Sequence, residues 1–247
     1  MKRLKLLPVV LVLILAFNGL TFAMTAKEIM DQVDEHQYSK RIRMEAEMII
    51  VKGNRKMTKN LITVGNEESA LTRFTNPRDR GTKFLKKDDQ LWMFFPNAED
   101  IVKISGHMLE QGMMGSDFSY QDAMETEKLS ELYQFSVIRE EEYNGRPCYV
   151  IEGIKKEGAD ASYYKRVSWV DKERFALLKE ELYARSGRLL KVMTTKKVEK
   201  IEGRWYATKM VMEDKLKKNS KTIFNVTSIQ FNPEIPEGTF TLENLRN

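Results

Sequence analysis

The sequence predicts a mainly β protein laid out as a long antiparallel meander, and three observations carry that prediction. Apolar and polar residues alternate over short segments along most of the chain. Turn pairs such as Gly53-Asn54, Asn144-Gly145, Ser186-Gly187 and Glu202-Gly203 stand between consecutive segments, and only one stretch near the start has sustained helical spacing. About a dozen strands are too many for one flat sheet, so a curved sheet or barrel is expected.

The elements follow in order. Lys2, Arg3 and Lys5 precede an apolar run from Leu6 to Phe17, and Thr21-Phe22-Ala23 ends in the small-residue spacing read by a signal peptidase, so residues 1–23 are expected to be a cleavable secretory signal. The run is too short to span a membrane, and a lipid anchor needs a cysteine at the new N-terminus, where there is none. A soluble exported chain of residues 24–247, folded as a single domain, is expected.

Thr25 followed by Glu28 is a capping-box pattern, and Ala26, Ile29, Met30 and Val33 form one apolar stripe, so a helix runs from here to about Tyr38. The period then becomes two, with Met44, Ala46, Met48 and Ile50 on one face. Strand-like segments follow over residues 56–64, 69–75, 82–86, 90–96 and 100–105, and resume over 135–139, 148–154, 166–171, 177–183, 189–198, 205–213 and 222–231. Residues 106–132 break the pattern: they are rich in Met and Gly at first, and Ser119 with Asp122 then suggests a second short capped helix.

Composition excludes several kinds of function. The leader holds three basic residues and no acid, so its removal takes the net charge from +5 to +2. Lysine clusters such as Lys86-Lys87 and Lys215 to Lys218 are interspersed with acids and read as solvated strand faces and protected edges, not as a nucleic-acid site. Cys148 is the single cysteine and sits in an apolar strand, where it reads as a small buried hydrophobe. With two histidines, His36 and His107, neither at metal-ligand spacing, and no nucleophile-elbow, phosphate-loop or dinucleotide motif, the sequence offers no metal site, cofactor or catalytic set, and points away from an enzyme.

The run Gln90-Leu91-Trp92-Met93-Phe94-Phe95-Pro96 is apolar at consecutive positions, so both of its faces are covered. It is either a central core strand or one wall of a hydrophobic cavity. The 14 methionines suit core filling, and equally an adaptable surface for acyl chains. The segment Met108 to Met114 is too rich in glycine for a regular core element, and a lid over a cavity would explain it.

Gly115-Ser116-Asp117-Phe118-Ser119-Tyr120-Gln121-Asp122 resembles the outer-membrane lipoprotein-sorting family, relatives of LolA and LolB. Leu91 to Pro96, Ile101-Val102-Lys103-Ile104 and the ending Ile235-Pro236-Glu237-Gly238-Thr239-Phe240 are similar to that family as well. The resemblance implies a curved, incompletely closed antiparallel β-barrel whose concave side is covered by helices and holds a hydrophobic cavity. It implies a monomeric periplasmic carrier of lipid or lipoprotein acyl chains, served by an inner-membrane transporter or an outer-membrane acceptor. An RseB-like sensor that regulates a membrane protein is the alternative. The cavity and lid candidates are Trp92, Phe94, Met108, Met113, Met114, Phe118 and Tyr120, with Ser116, Asp117 and Ser119 as structural caps, Asp117 at the start of the following short helix. Burying about fourteen methylenes at roughly 0.8 kcal/mol each would gain near 11 kcal/mol gross, enough to carry a lipid through water.

Overall fold

The structure, a computed structural model, describes residues 24–246, so the expected secretory leader lies outside the described residues. Helix α1 (Ala26–Gln37) opens the fold, with the Thr25 and Glu28 side chains and backbones reciprocally bonded and Ala26, Ile29, Met30 and Val33 buried. Six strands follow: β1 (Arg41–Lys52), β2 (Arg55–Asn66), β3 (Ser69–Phe74), β4 (Lys83–Lys87), β5 (Gln90–Phe95) and β6 (Asp100–Ile104). A crossing segment leads to the short helix α2 (Leu129–Leu132), which the sequence pattern did not announce. Seven more strands complete the sheet: β7 (Tyr133–Tyr143), β8 (Arg146–Lys155), β9 (Lys165–Asp171), β10 (Leu177–Tyr183), β11 (Leu189–Ile201), β12 (Arg204–Asp214) and β13 (Ser220–Phe231), before the terminal helix α3 (Leu242–Arg246).

All thirteen strands form one antiparallel sheet in the order β6-β5-β4-β3-β2-β1-β13-β12-β11-β10-β9-β8-β7. Every neighbour is a sequence neighbour except β1 and β13, which join the two halves of the meander in a long register from Ile42–Phe231 to Lys52–Ser220. The edges β6 and β7 stay apart, so the curved sheet is an unclosed barrel. Register shifts at Glu45/Ala46, Val137/Arg139, Leu182/Tyr183 and Thr195/Lys197 are the bulges that bend long strands around it.

The concave face carries two apolar clusters. In one half, Ala46, Met48, Ile50, Leu61, Phe74, Phe84, Leu91, Met93 and Ile104 pack beneath the crossing segment. In the other, Ile151, Val170 and Leu177 pack beneath the apolar stripe of α1. The outer face is covered as well. Leu71, Leu85 and Phe94 pack under Phe240 and Leu245 of the C-terminal tail, while Cys148, Val150, Val167, Trp169, Ala176 and Leu178 form a second outer cluster. Cys148 is fully buried and its thiol is pushed up to about 11, chiefly by that burial and then by the nearby Asp171 carboxylate.

Candidate functional site

Residues 105–128 form a strap across the concave face, between the last strand of the first half and α2. The strap folds on itself: the Met113, Tyr120 and Gln121 amides donate to the Phe118, Gln111 and Leu109 carbonyls at 2.7, 3.1 and 2.9 Å. A single 3-10 turn covers Gly106–Met108 and another Met113–Gly115, where Met114 takes a left-handed φ of 52°. Gly112 is required by close approach, because a Cβ there would lie 2.1 Å from the Ser116 carbonyl oxygen.

Three acids fasten the strap to the second half of the sheet. The Asp117 carboxylate accepts from Ser220 Oγ at 2.6 Å and Thr222 Oγ1 at 2.8 Å, and its own backbone amide donates to Thr222 Oγ1. Asp122 accepts from the Tyr163 hydroxyl at 2.5 Å and from Lys191 Nζ at 2.6 Å. Glu125 accepts from the Ser162 amide at 3.0 Å, and burial raises its carboxyl above the usual range against the opposing pull of Arg166. The Tyr163 hydroxyl is likewise held protonated, first by burial and then by the Asp122 charge.

Under the strap lies a cavity of about 240 Å³. Its walls are apolar side chains of the sheet, among them Met44, Met48, Leu61, Leu91, Met210 and Phe224, and its roof includes Met113 and Phe118 of the strap. Polar groups enter it at two places. Thr63 and Thr72 pair with each other across β2 and β3 at 2.9 Å, and Lys86 and Asp122 stand at its border. Lys86 is 5% exposed although Lys87 beside it is open to solvent. That corrects the reading of this pair as a solvated face: alternation turns Lys86 inward with Phe84.

The candidate residues divide by position. Met113 and Phe118 line the cavity, and Phe118 meets Phe224 edge to face with 5.9 Å between ring centres. Met108, Met114 and Tyr120 pack against the same concave cluster, Tyr120 with its ring 5.6 Å from that of Phe84. Trp92 and Phe94 do not join them. They point to the outer face with Leu71, Leu85 and Leu245, where Lys103 lies 5.5 Å from the Trp92 ring, and Leu91 and Met93 face inward instead.

Among the caps, Ser116 exchanges bonds with the Phe118 backbone, and Ser119 and Asp122 bond reciprocally at 3.1 and 2.7 Å. That box closes a turn over residues 120–124 and no helix follows, while the Asp122 carboxylate also accepts from Tyr163 and Lys191. Asp117 is therefore not a helix cap; it anchors the strap to β13. Asp34, unremarked in the sequence, is the carboxylate that does cap a helix, accepting from the Leu129 and Ser130 amides of α2 at 3.0 and 2.9 Å. Among the described residues no cluster of His, Cys, Asp and Glu is arranged to hold a metal ion, and no helix is long and apolar enough to cross a membrane.

Residues 66–247 match the model of a family whose description reads "Uncharacterized protein". The chain belongs to this family. Its fold is LolA-like, as solved structures show. A DUF1329 family protein from Desulfovibrio piger superposes with a TM-score of 0.81 at 26% identity, over 89% of this chain and 97% of that one. A domain from Vibrio parahaemolyticus described as an outer membrane lipoprotein-sorting protein gives 0.77 at 26% identity, over 90% and 98% of the two chains. A LolA superfamily protein from Nitrosomonas europaea gives 0.76 at 22% identity, over 90% and 100%. No curated protein matches the sequence.

Proposed function

We propose that this LolA-like chain is a periplasmic carrier that shields a lipid, or the acyl chains of a lipoprotein, while they pass between membranes. The observation that carries the reading is the cavity of about 240 Å³, apolar on nearly every side and roofed by a strap whose fastenings are polar. Water can replace the polar fastenings when the strap opens, and an acyl chain seated beneath it would replace the apolar contacts that Met108, Met113, Met114, Phe118 and Tyr120 give up. The description of the Vibrio parahaemolyticus neighbour as a lipoprotein-sorting domain supports the same reading.

Size sets a limit on the closed state. An engineered apolar cavity of about 150 Å³ accepts benzene, so a cavity of this volume holds on the order of ten carbon atoms. Burying ten methylenes contributes roughly 8 kcal/mol gross. A longer chain requires the strap to move outward, and methionines at 108, 113 and 114 are side chains that can repack around it.

Native mass spectrometry of protein purified gently from the periplasm is expected to show lipid adducts, and a fluorescent acyl probe is expected to bind and to be displaced by them. Protein that carries no lipid and binds no acyl probe would end the carrier reading.

A further inference from the structure

Lys86 is the feature of the cavity that carriage of a plain hydrocarbon does not explain. It lies on β4, its side chain borders the cavity, and it is 5% exposed. Lysines are almost never buried so far without an acidic partner. Among the described residues no carboxylate comes within 4.0 Å of its Nζ, and its one hydrogen bond goes to the neutral Thr126 hydroxyl at 2.7 Å. That hydroxyl donates in turn to the Glu67 carbonyl, so it serves Lys86 only as an acceptor. Of the three N–H groups on the ammonium, two are left for something else.

The other charge at the cavity is already matched. Asp122 takes Lys191, Tyr163 and the Ser119 amide. Asp89, Glu125, Glu127 and Asp160 line a smaller hollow of about 110 Å³ that Lys86 also borders, so an anion there would meet four carboxylates, whereas the one carboxylate lining the main cavity, Asp122, is paired with Lys191. Thr63 and Thr72 add two hydroxyls on the same inner surface.

We infer that Lys86 receives an anionic headgroup, and that the cargo is a single-chain amphiphile ending in an oxyanion, a carboxylate or a phosphate ester. This rests on the carrier reading and narrows it, since the glyceryl esters of a lipoprotein anchor carry no charge for Lys86 to meet. The chain occupies the methionine-lined part of the cavity and the headgroup replaces the missing acid beside Lys86.

The test uses three probes with one ten-carbon chain: decanoate, decyl phosphate and decanol. Binding to the purified protein is measured by titration calorimetry at pH 7.5. Both anions are expected to bind more tightly than decanol by roughly tenfold to a hundredfold, the range of one charged hydrogen bond in a desolvated site. Whichever anion binds more tightly identifies the headgroup. Lys86→Met should erase the preference while leaving decanol binding in place, and Lys86→Arg should keep it. If decanol binds as tightly as the anions to the unaltered protein, the headgroup assignment fails and the carrier reading stands. If none of the three binds, the carrier reading itself fails. A preference that survives in Lys86→Met places the cation elsewhere and overturns the assignment. Should that variant fail to fold, Lys86→Gln, which removes the charge and can still donate to Thr126, takes its place under the same criterion.

Discussion

Replacing Asp122 by alanine leaves the Ser119 amide, the Tyr163 hydroxyl and Lys191 Nζ without their shared acceptor. The Asp122 and Lys191 side chains are each 11% exposed, so the stranded ammonium is poorly hydrated. Breaking a buried pair by removing one partner costs roughly 3–5 kcal/mol. The hydroxyl can turn to another acceptor and water can enter beside Lys191, which puts the loss at the low end, about 3 kcal/mol. Two of the broken contacts tie the strap to Tyr163 and Lys191, the third lies inside the strap and none lies within the sheet, so the loss should fall on opening of the strap. A difference of that size speeds exchange from the open state on the order of a hundredfold. Native-state hydrogen exchange reads this directly: the Met113, Tyr120 and Gln121 amides, bonded inside the strap, are expected to lose protection, while those in the β1–β13 ladder keep theirs. An increase below about fivefold, or an equal increase in both regions, would refute the view of Asp122 as a fastening of a separately opening strap.

Three further outcomes are expected. Ala70→Leu puts three more carbons into the cavity, so the protein should gain at most about 2.4 kcal/mol of burial and melt higher, and decanol binding should fall at least roughly tenfold; undiminished binding would place the acyl site elsewhere. The Glu125 carboxyl is raised on folding, so the stability it contributes is complete below its unfolded value near 4.5 and is lost as pH rises through the higher folded value. Glu125→Gln should therefore melt higher than the unaltered protein at pH 7.5, with the gap closing as pH falls toward 4.5, and equal melting at both pH values would contradict this. Gly112→Ala forces a Cβ to 2.1 Å from the Ser116 carbonyl oxygen, and limited proteolysis should then cut within the strap at a rate the sheet does not share; the cost is roughly 1–3 kcal/mol.

Much of the fold was legible because local chemistry and tertiary burial agree along most of the chain. Met44, Ala46, Met48 and Ile50 alternate with Glu45, Glu47 and Ile49, so one pattern gives both the strand and its inward face, and Asn144-Gly145 and Glu202-Gly203 turn with φ near 50° and then 75–85° as such pairs allow. The pattern fails where both faces are covered. At Gln90 to Phe95 the outer cover is a tail more than 130 residues later in the chain, and alternation cannot tell that side from the inner one, so Trp92 and Phe94 were placed in the cavity and Leu91 and Met93 were not. Asp117 was read against its nearest amides, while the hydroxyls that bind it belong to Ser220 and Thr222, over 100 residues away. Lys86 was hidden for the opposite reason: a lysine beside a lysine looks solvated, and its burial depends on a strap from another part of the chain.

The outward placement of Trp92 has an optical consequence. Trp169 stands in the second outer cluster, and none of Trp92, Trp169 and Trp205 lines the cavity. A cargo molecule entering beneath the strap would meet no indole, so the protein's own emission should stay nearly constant as it fills. The same emission would register a disturbance of the outer face, above all release of Leu245 and Phe240 from beside Trp92. Loading and the unclasping of the C-terminal tail are thus separable in emission: the first leaves it unchanged and the second shifts it to longer wavelength as Trp92 meets water.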